Sequence, residues 1–314
     1  ISMWVAGITQ GMMWMAISPE SGTLVYPHFI ETVTRIIPMY WVRAIGGTLV
    51  LSSFLMMIYN FYKTIKGAKV SDEEKFLVPN LSSDINARNE SSHRKLEGLP
   101  AIFSILVVLS VLVGTIIEIA PTFLSHNFME KKEEITYYSP LELAGRDIYI
   151  REGCYTCHSQ MIRPMVSEKL RYGEPSHISE SIYDHPFQWG SRRIGPDLAR
   201  VGGKYPHMWH YKHMINPREI TPGSIMPNYP WLIKNEIAYR HLGKKLQVMK
   251  SLGVPYTEDE LKNSVSLAKE QADDVSSVLI EAGVPEKIKN KEIIALIAYL
   301  QKLGIDLEVE EEEE

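Results

Sequence analysis

The chain has 314 residues, room for one to three domains, with 45% hydrophobic residues and a formal net charge of −5. That balance carries no basic excess of the kind that marks a nucleic-acid binder. The average also conceals a division, because the apolar residues concentrate in the first 125 positions.

Ile1 to Ile17 is apolar, uncharged and slightly short for a full membrane crossing. It begins inside an apolar run, without an initiator methionine or a charged leader, so the chain reads as the carboxyl-terminal portion of something longer, with Ile1–Ile17 the remainder of a span. Ile36 to Tyr62 is long enough to cross, with Arg43 as its one charge, and Gly98 to Leu124 is a further span carrying Glu118 near its far end. Both charges are expensive in hydrocarbon; they share a polar layer or snorkel to the interface. The loop of residues 63–97 carries Lys63, Lys66, Lys69, Lys75, Arg88, Arg94 and Lys95, whereas residues 18–35 carry only Arg35. This asymmetry puts 63–97 in the cytoplasm and everything after Leu124 on the opposite side. Tyr40, Trp41, Tyr59 and Tyr62 suit the two interfaces of the second span.

Residues 125–142 read as a polar linker, in which Ser139 caps a helix starting at Pro140, with Glu142 in its first turn, and running to about Arg151. Gly153 ends that helix and leads into Cys154-Tyr155-Thr156-Cys157-His158, which holds both cysteines of the chain. Cys-x-x-Cys-His is the pattern of covalent c-type haem attachment: two thiols bond the porphyrin vinyl groups and the next imidazole ligates the iron. A redox dithiol is the first alternative, but no parallel-sheet pattern surrounds the motif. A zinc site is the second, and it needs a further ligand pair.

Residues 165–205 are rich in Gly, Pro, Ser and charges and read as a long loop, a form that wraps a cofactor. Helices are expected over Met208–Ile215, Glu236–Leu252, Thr257–Ala282 and Ile288–Leu303, the last with Ile293, Ile294, Ile297, Leu300 and Leu303 on one face. The glutamate-rich tail from Glu308 reads as a solvated end. A helical domain round a haem has to supply a sixth iron ligand. Met226, in the extended loop Pro222–Pro227, is favoured, with His207, His210 and His213 as the rival. Met161 is too near His158, and Met208 and Met214 read as core.

Four segments then carry a resemblance. Leu141–Pro164 (LELAGRDIYIREGCYTCHSQMIRP), Tyr183–Ser191 (YDHPFQWGS), Gly195–Gly203 (GPDLARVGG) and Met226–Leu232 (MPNYPWL) closely resemble the mono-haem cytochrome c subunit, subunit II, of cbb3-type cytochrome c oxidases. The first two spans resemble the last helices of the catalytic subunit of the same oxidases, notably Ser2–Ile8 and Tyr40–Gly47. The resemblance therefore implies a fused chain, a departure from the usual separate subunits. Its parts would be catalytic-subunit helices over 1–66, a cytoplasmic linker over 67–97, a transmembrane anchor over 98–124, a periplasmic cytochrome domain over 125–305 and an acidic tail over 306–314. The fold class is all-α: transmembrane helices followed by a class I-like cytochrome c domain with long loops. Cys154 and Cys157 would hold one covalent haem c, and His158 and Met226 would be the axial iron ligands. Pro196 would accept the ligand histidine's N–H and so fix its ring.

The resemblance further implies haem b, haem b3 and CuB in a catalytic part outside this chain, since no histidine lies in the three apolar spans. It also implies a calcium ion at the subunit interface, with ligands it does not assign. The partners would be the rest of the catalytic subunit, a di-haem cytochrome c subunit, a periplasmic cytochrome c donor and membrane lipid, with no nucleic acid. The setting would be the bacterial inner membrane, with the haem domain on the periplasmic side. On this reading the chain relays electrons within a proton-translocating oxidase and has no catalytic residue of its own. A stand-alone membrane-anchored cytochrome c shuttle and the cytochrome subunit of a nitric oxide reductase are the rival functions.

Overall fold

The computed structural model describes residues 1–68, 92–128, 135–190 and 192–306. Most of the expected cytoplasmic linker, and the acidic tail from residue 307, lie outside the described residues. Among those described, the secondary structure is helical, with no strand beyond two isolated bridges.

The helices in chain order are α1 (Ser2–Met15), α2 (Phe29–Gly67), α3 (Ser92–Glu97), α4 (Pro100–Phe128), α5 (Pro140–Arg151) and α6 (Val166–Tyr172). They are followed by α7 (His207–Ile215), α8 (Pro217–Ile220), α9 (Leu242–Ser251), α10 (Glu258–Glu281) and α11 (Glu292–Lys302). Two compact units divide them: Ile1–Trp41 with Ser125–Glu314, and Val42–Leu124.

The second unit holds the larger parts of α2 and α4, the two helices that are long and apolar enough to cross a membrane. Their apolar side chains, among them Leu49, Phe54, Ile105 and Val111, are exposed, so these are not core helices of a soluble domain. At 39 residues α2 is about 58 Å long, roughly twice the hydrocarbon thickness, so only part of it suits a crossing. The 14 residues of α1 fall short of that length.

In the first unit the core forms where α5 crosses α11. Gly145 makes the crossing close: a Cβ there would sit 2.6 Å from the Ala295 carbonyl carbon and 2.7 Å from Tyr299 Cβ. Every residue from Ile293 to Leu300 is buried, and α10 packs Ala268, Ala272, Val275 and Leu279 into the same cluster. The start of α5 follows the sequence: Ser139 Oγ accepts from the Glu142 N–H at 3.2 Å, and Glu142 reaches back to the Ser139 N–H at 2.8 Å, a complete capping box.

Two expected helices start later than their periodicity suggests. The helix expected from Glu236 begins at Leu242, behind a short 3-10 turn at Tyr239–His241, and the one expected from Ile288 begins at Glu292. The cause is tertiary. Ile237 N–H donates to Asn290 O at 2.9 Å and Glu292 N–H to Asn235 O at 3.1 Å, and Glu236 bridges to Lys291, so the two stretches pair with each other. The expected loop over 165–205 contains α6 and a 3-10 turn at Ile178–Ser181, with irregular chain elsewhere.

Candidate functional site

Gly153 leaves α5 at φ 73°, a left-handed conformation that glycine adopts without strain. The chain then closes a single 3-10 turn, Cys154–Thr156, in which the N–H groups of Cys157 and His158 both donate to Cys154 O, at 3.1 and 2.9 Å. This turn brings Cys154, Cys157 and His158 to the wall of one cavity of about 620 Å³. Both cysteines are free and part-buried. Burial, with Glu152 nearby, pushes the Cys154 thiol up to about 12, the reverse of the lowered pKa that activates a redox dithiol.

Gly195–Leu198 runs alongside the motif. Gly195 N–H donates to Cys157 O at 2.9 Å and Leu198 N–H to Ser159 O at 2.8 Å. Between these two bonds His158 Nδ1 lies 2.8 Å from the Pro196 carbonyl. A carbonyl only accepts, so Nδ1 carries the proton and Nε2 keeps its lone pair for a ligand or metal. Burial lowers the His158 pKa, against the opposing pull of Pro196 and Asp197. Gly195 is a steric requirement of this arrangement, because a Cβ there would come within 2.7 Å of His158 Nδ1 and 2.8 Å of Nε2.

A buried ion cluster backs the same strand of chain. Arg193, only 4% exposed, pairs with Glu168 and reaches Asp197 at 3.2 Å, Ser159 Oγ at 2.7 Å and Met161 O at 2.7 Å. Asp197 also accepts from the N–H groups of Met161 at 3.0 Å and Ala199 at 2.8 Å. Burial alone would raise the Glu168 carboxyl, but bonds from Arg193 and from the Arg163 N–H outweigh it and leave the carboxyl below its ordinary range. The cluster therefore holds Pro196 between two anchored neighbours.

Met226 lines the same cavity and packs against the main core. Its loop is pinned by Ser224 N–H to Thr221 O at 3.1 Å and by Tyr229 N–H to Met214 O at 2.8 Å on α7. His210 and His213 of α7 also line the cavity, and burial pushes both down to about 4. His207 does not line it; its Nδ1 contacts Gln301 Nε2 at 3.2 Å. Among the described residues, those histidines included, no three His, Cys, Asp or Glu side chains gather at metal-binding spacing.

The family described as cytochrome C oxidase, mono-heme subunit/FixO, matches residues 93–307. The chain belongs to this family. The match takes in the Cys154–His158 motif, Pro196 and Met226, while the cavity wall also includes Pro27 to Ile30 and Val33, which precede it. A second set of relatives are differently named subunits. The chain is 44% identical over 71 residues to cbb3-type cytochrome c oxidase subunit CcoN1 of Stutzerimonas stutzeri, which is 23% of this chain and 15% of that protein. It is 50% identical over 68 residues to a cytochrome c oxidase subunit 1 homolog of Azorhizobium caulinodans, 22% of this chain and 12% of that protein. The chain thus spans only a small part of the length of these curated relatives.

Family membership makes the chain a component of an oxidoreductase complex and implies a single haem. The cavity fits such a group. Among the described residues, the buried side-chain polar atoms without a hydrogen-bond partner include Tyr149 Oη, Arg171 Nη2, Tyr172 Oη, His210 Nε2 and His213 Nδ1. All five residues line this cavity, an apolar space edged by groups that require a polar ligand. The family's motif made Cys154, His158 and Pro196 visible in the sequence. Gly195, the Arg193 cluster and Arg171 were not singled out, because their roles arise from contacts between distant stretches.

Proposed function

We propose that the chain is an electron-transfer segment of a cbb3-type haem–copper terminal oxidase. Electrons arrive from a cytochrome c donor or a di-haem sister subunit on the periplasmic side. They leave for the catalytic subunit, which reduces oxygen to water and translocates protons. Cys154 and Cys157 would hold one haem c by thioethers, and His158 and Met226, on the wall of the same cavity, would be its iron ligands. When bound, that group would supply reversible one-electron transfer.

The observation that carries this reading is the His158–Pro196 hydrogen bond beside two free thiols, with Met226 on the wall of the same cavity. Pro196 fixes the imidazole tautomer, Gly195 leaves room for the ring, and the pinned loop presents the thioether. With His158 and Met226 both serving as iron ligands, the segment would relay electrons and leave the oxygen chemistry to the catalytic subunit. A class I-like cytochrome c domain accounts for the α5–α11 crossing beside the motif.

The fusion reading has separate support. The family match starts at residue 93, so 93 − 1 = 92 residues precede it, room for the 71 residues shared with the catalytic-subunit relative. Those preceding residues supply the upstream membrane helices, and a calcium ion belongs at the interface with the remaining catalytic part.

Two measurements test the proposal. A pyridine haemochrome spectrum after acid–acetone extraction should show thioether-bonded haem c; its absence sinks the reading. Met226→Ala should abolish the near-infrared iron–thioether charge-transfer band, and retention of that band would rule Met226 out as ligand.

A further inference from the structure

The charged residues on the cavity wall are nearly all satisfied. Arg200 is held by Glu180 at 2.6 and 2.9 Å, Glu152 takes Trp231 Nε1 at 2.9 Å and an Arg151 ion pair, and Asp197 belongs to the Arg193 cluster. Lys204 and His28 are exposed to water, and burial keeps His210 and His213 neutral at physiological pH.

Arg171, near the end of α6, is the exception. Its Nη1 donates to the carbonyls of Tyr26 at 2.8 Å and Pro27 at 3.1 Å, which fixes the guanidinium, while Nη2 is buried without a partner. Among the described residues it forms no ion pair; Glu31 acts on it only at longer range. The neighbouring Tyr172 hydroxyl is likewise buried, with the Asp197 backbone N–H beside its oxygen and no acceptor for its own O–H among the described residues, and both residues line the cavity. A part-buried cation with a free donor is unfavourable until an anion joins it. A haem c bound at Cys154 and Cys157 brings two carboxylates into this space.

We propose that Arg171 and Tyr172 form the seat of a haem propionate, the guanidinium Nη2–H and the phenol O–H both donating to one carboxylate. The inference rests on the reading of Cys154–His158 as a haem c site. A propionate so held stays ionised to lower pH than a free one, because the cation favours its charged form. The positive charge also favours the reduced iron, so the seat raises the haem's potential and keeps it flat where a free propionate would titrate.

The test is a spectroelectrochemical titration of the haem c band in the assembled complex, from about pH 5 to about pH 8, the range in which carboxylates with raised pKa ionise. Arg171→Gln keeps an amide donor for the Tyr26 carbonyl and removes the charge. It should weaken the propionate as an acid by about tenfold or more, lower the potential near neutral pH, and add a downward slope on the acid side as pH rises. Arg171→Lys should restore most of the flat profile, and Tyr172→Phe should shift it in the same sense as Arg171→Gln, by less. Haem content is measured first, by pyridine haemochrome. A native chain without thioether-bonded haem refutes the functional reading itself, whereas haem-loaded Arg171→Gln with the native profile refutes the propionate seat alone. If Arg171→Gln does not accumulate, Tyr172→Phe decides: an unchanged profile overturns the seat and an acid-side slope upholds it.

Discussion

At the scale of single residues, the site depends on space as much as on chemistry. His158 can donate to Pro196 only because Gly195 offers no Cβ where the imidazole lies. Gly195→Ala should displace the ring, at an overpacking cost of about 1–3 kcal/mol, and lower the covalent haem per chain. Pyridine haemochrome absorbance normalised to protein measures this, and native haem content in the variant would remove the steric argument. Asp197 works at one remove, through the N–H groups of Met161 and Ala199 and the Ser159 hydroxyl that frame Pro196. Cys154, Cys157 and His158 were legible as residue types at a diagnostic spacing, and Met226 as a methionine in an extended loop within a segment that resembles the family. Gly195 was not, since a glycine before a proline reads as a turn until its neighbour is known.

Elements show which local signals survive packing. The start of α5 was legible because its cap is local: Ser139, Pro140 and Glu142 satisfy the first turn with no help from the rest of the chain. Ser139→Ala should cost about 1 kcal/mol and lower the thermal midpoint of the unit that contains α5, followed by circular dichroism. The α5–α11 crossing is less forgiving. At Gly145 an added Cβ meets the Ala295 backbone, which cannot move aside as a side chain tip does. Gly145→Ala should therefore destabilise more than Ser139→Ala, by about 1–3 kcal/mol or more, read as a larger drop in the same midpoint. The starts of α9 and α11 went the other way. Their periodic patterns extend further than the helices, because residues 235–237 and 290–292 pair with each other instead.

For the whole molecule, burial of His210 and His213 predicts a direction of pH dependence. Unfolded histidines take up protons below about 6.5, while these two stay neutral down to about 4. Their contribution is complete above pH 6.5 and is lost as pH falls toward 4, where the unfolded state binds more protons. The denaturant midpoint of unfolding should fall across that window, and replacing both histidines by phenylalanine should flatten the fall. The proposed topology makes a separate prediction. Alkaline phosphatase fused after Gly304 should be active and β-galactosidase at the same point inactive; the opposite pair of results would reverse the orientation drawn from the loop charges.

The sequence by itself determined what is carried by spacing and composition. Two apolar stretches long enough to cross a membrane, a Cys-x-x-Cys-His motif and a helical pattern around it all rest on neighbours a few positions apart. Only the tertiary structure decided which distant side chains share the cavity. It set His158 against Pro196, Met226 on the same wall, and Arg171 there without a carboxylate partner among the described residues. The reason is physical: hydrogen bonds and ion pairs at close range depend on how α5, α6, α7 and α11 pack, and no local periodicity encodes those contacts.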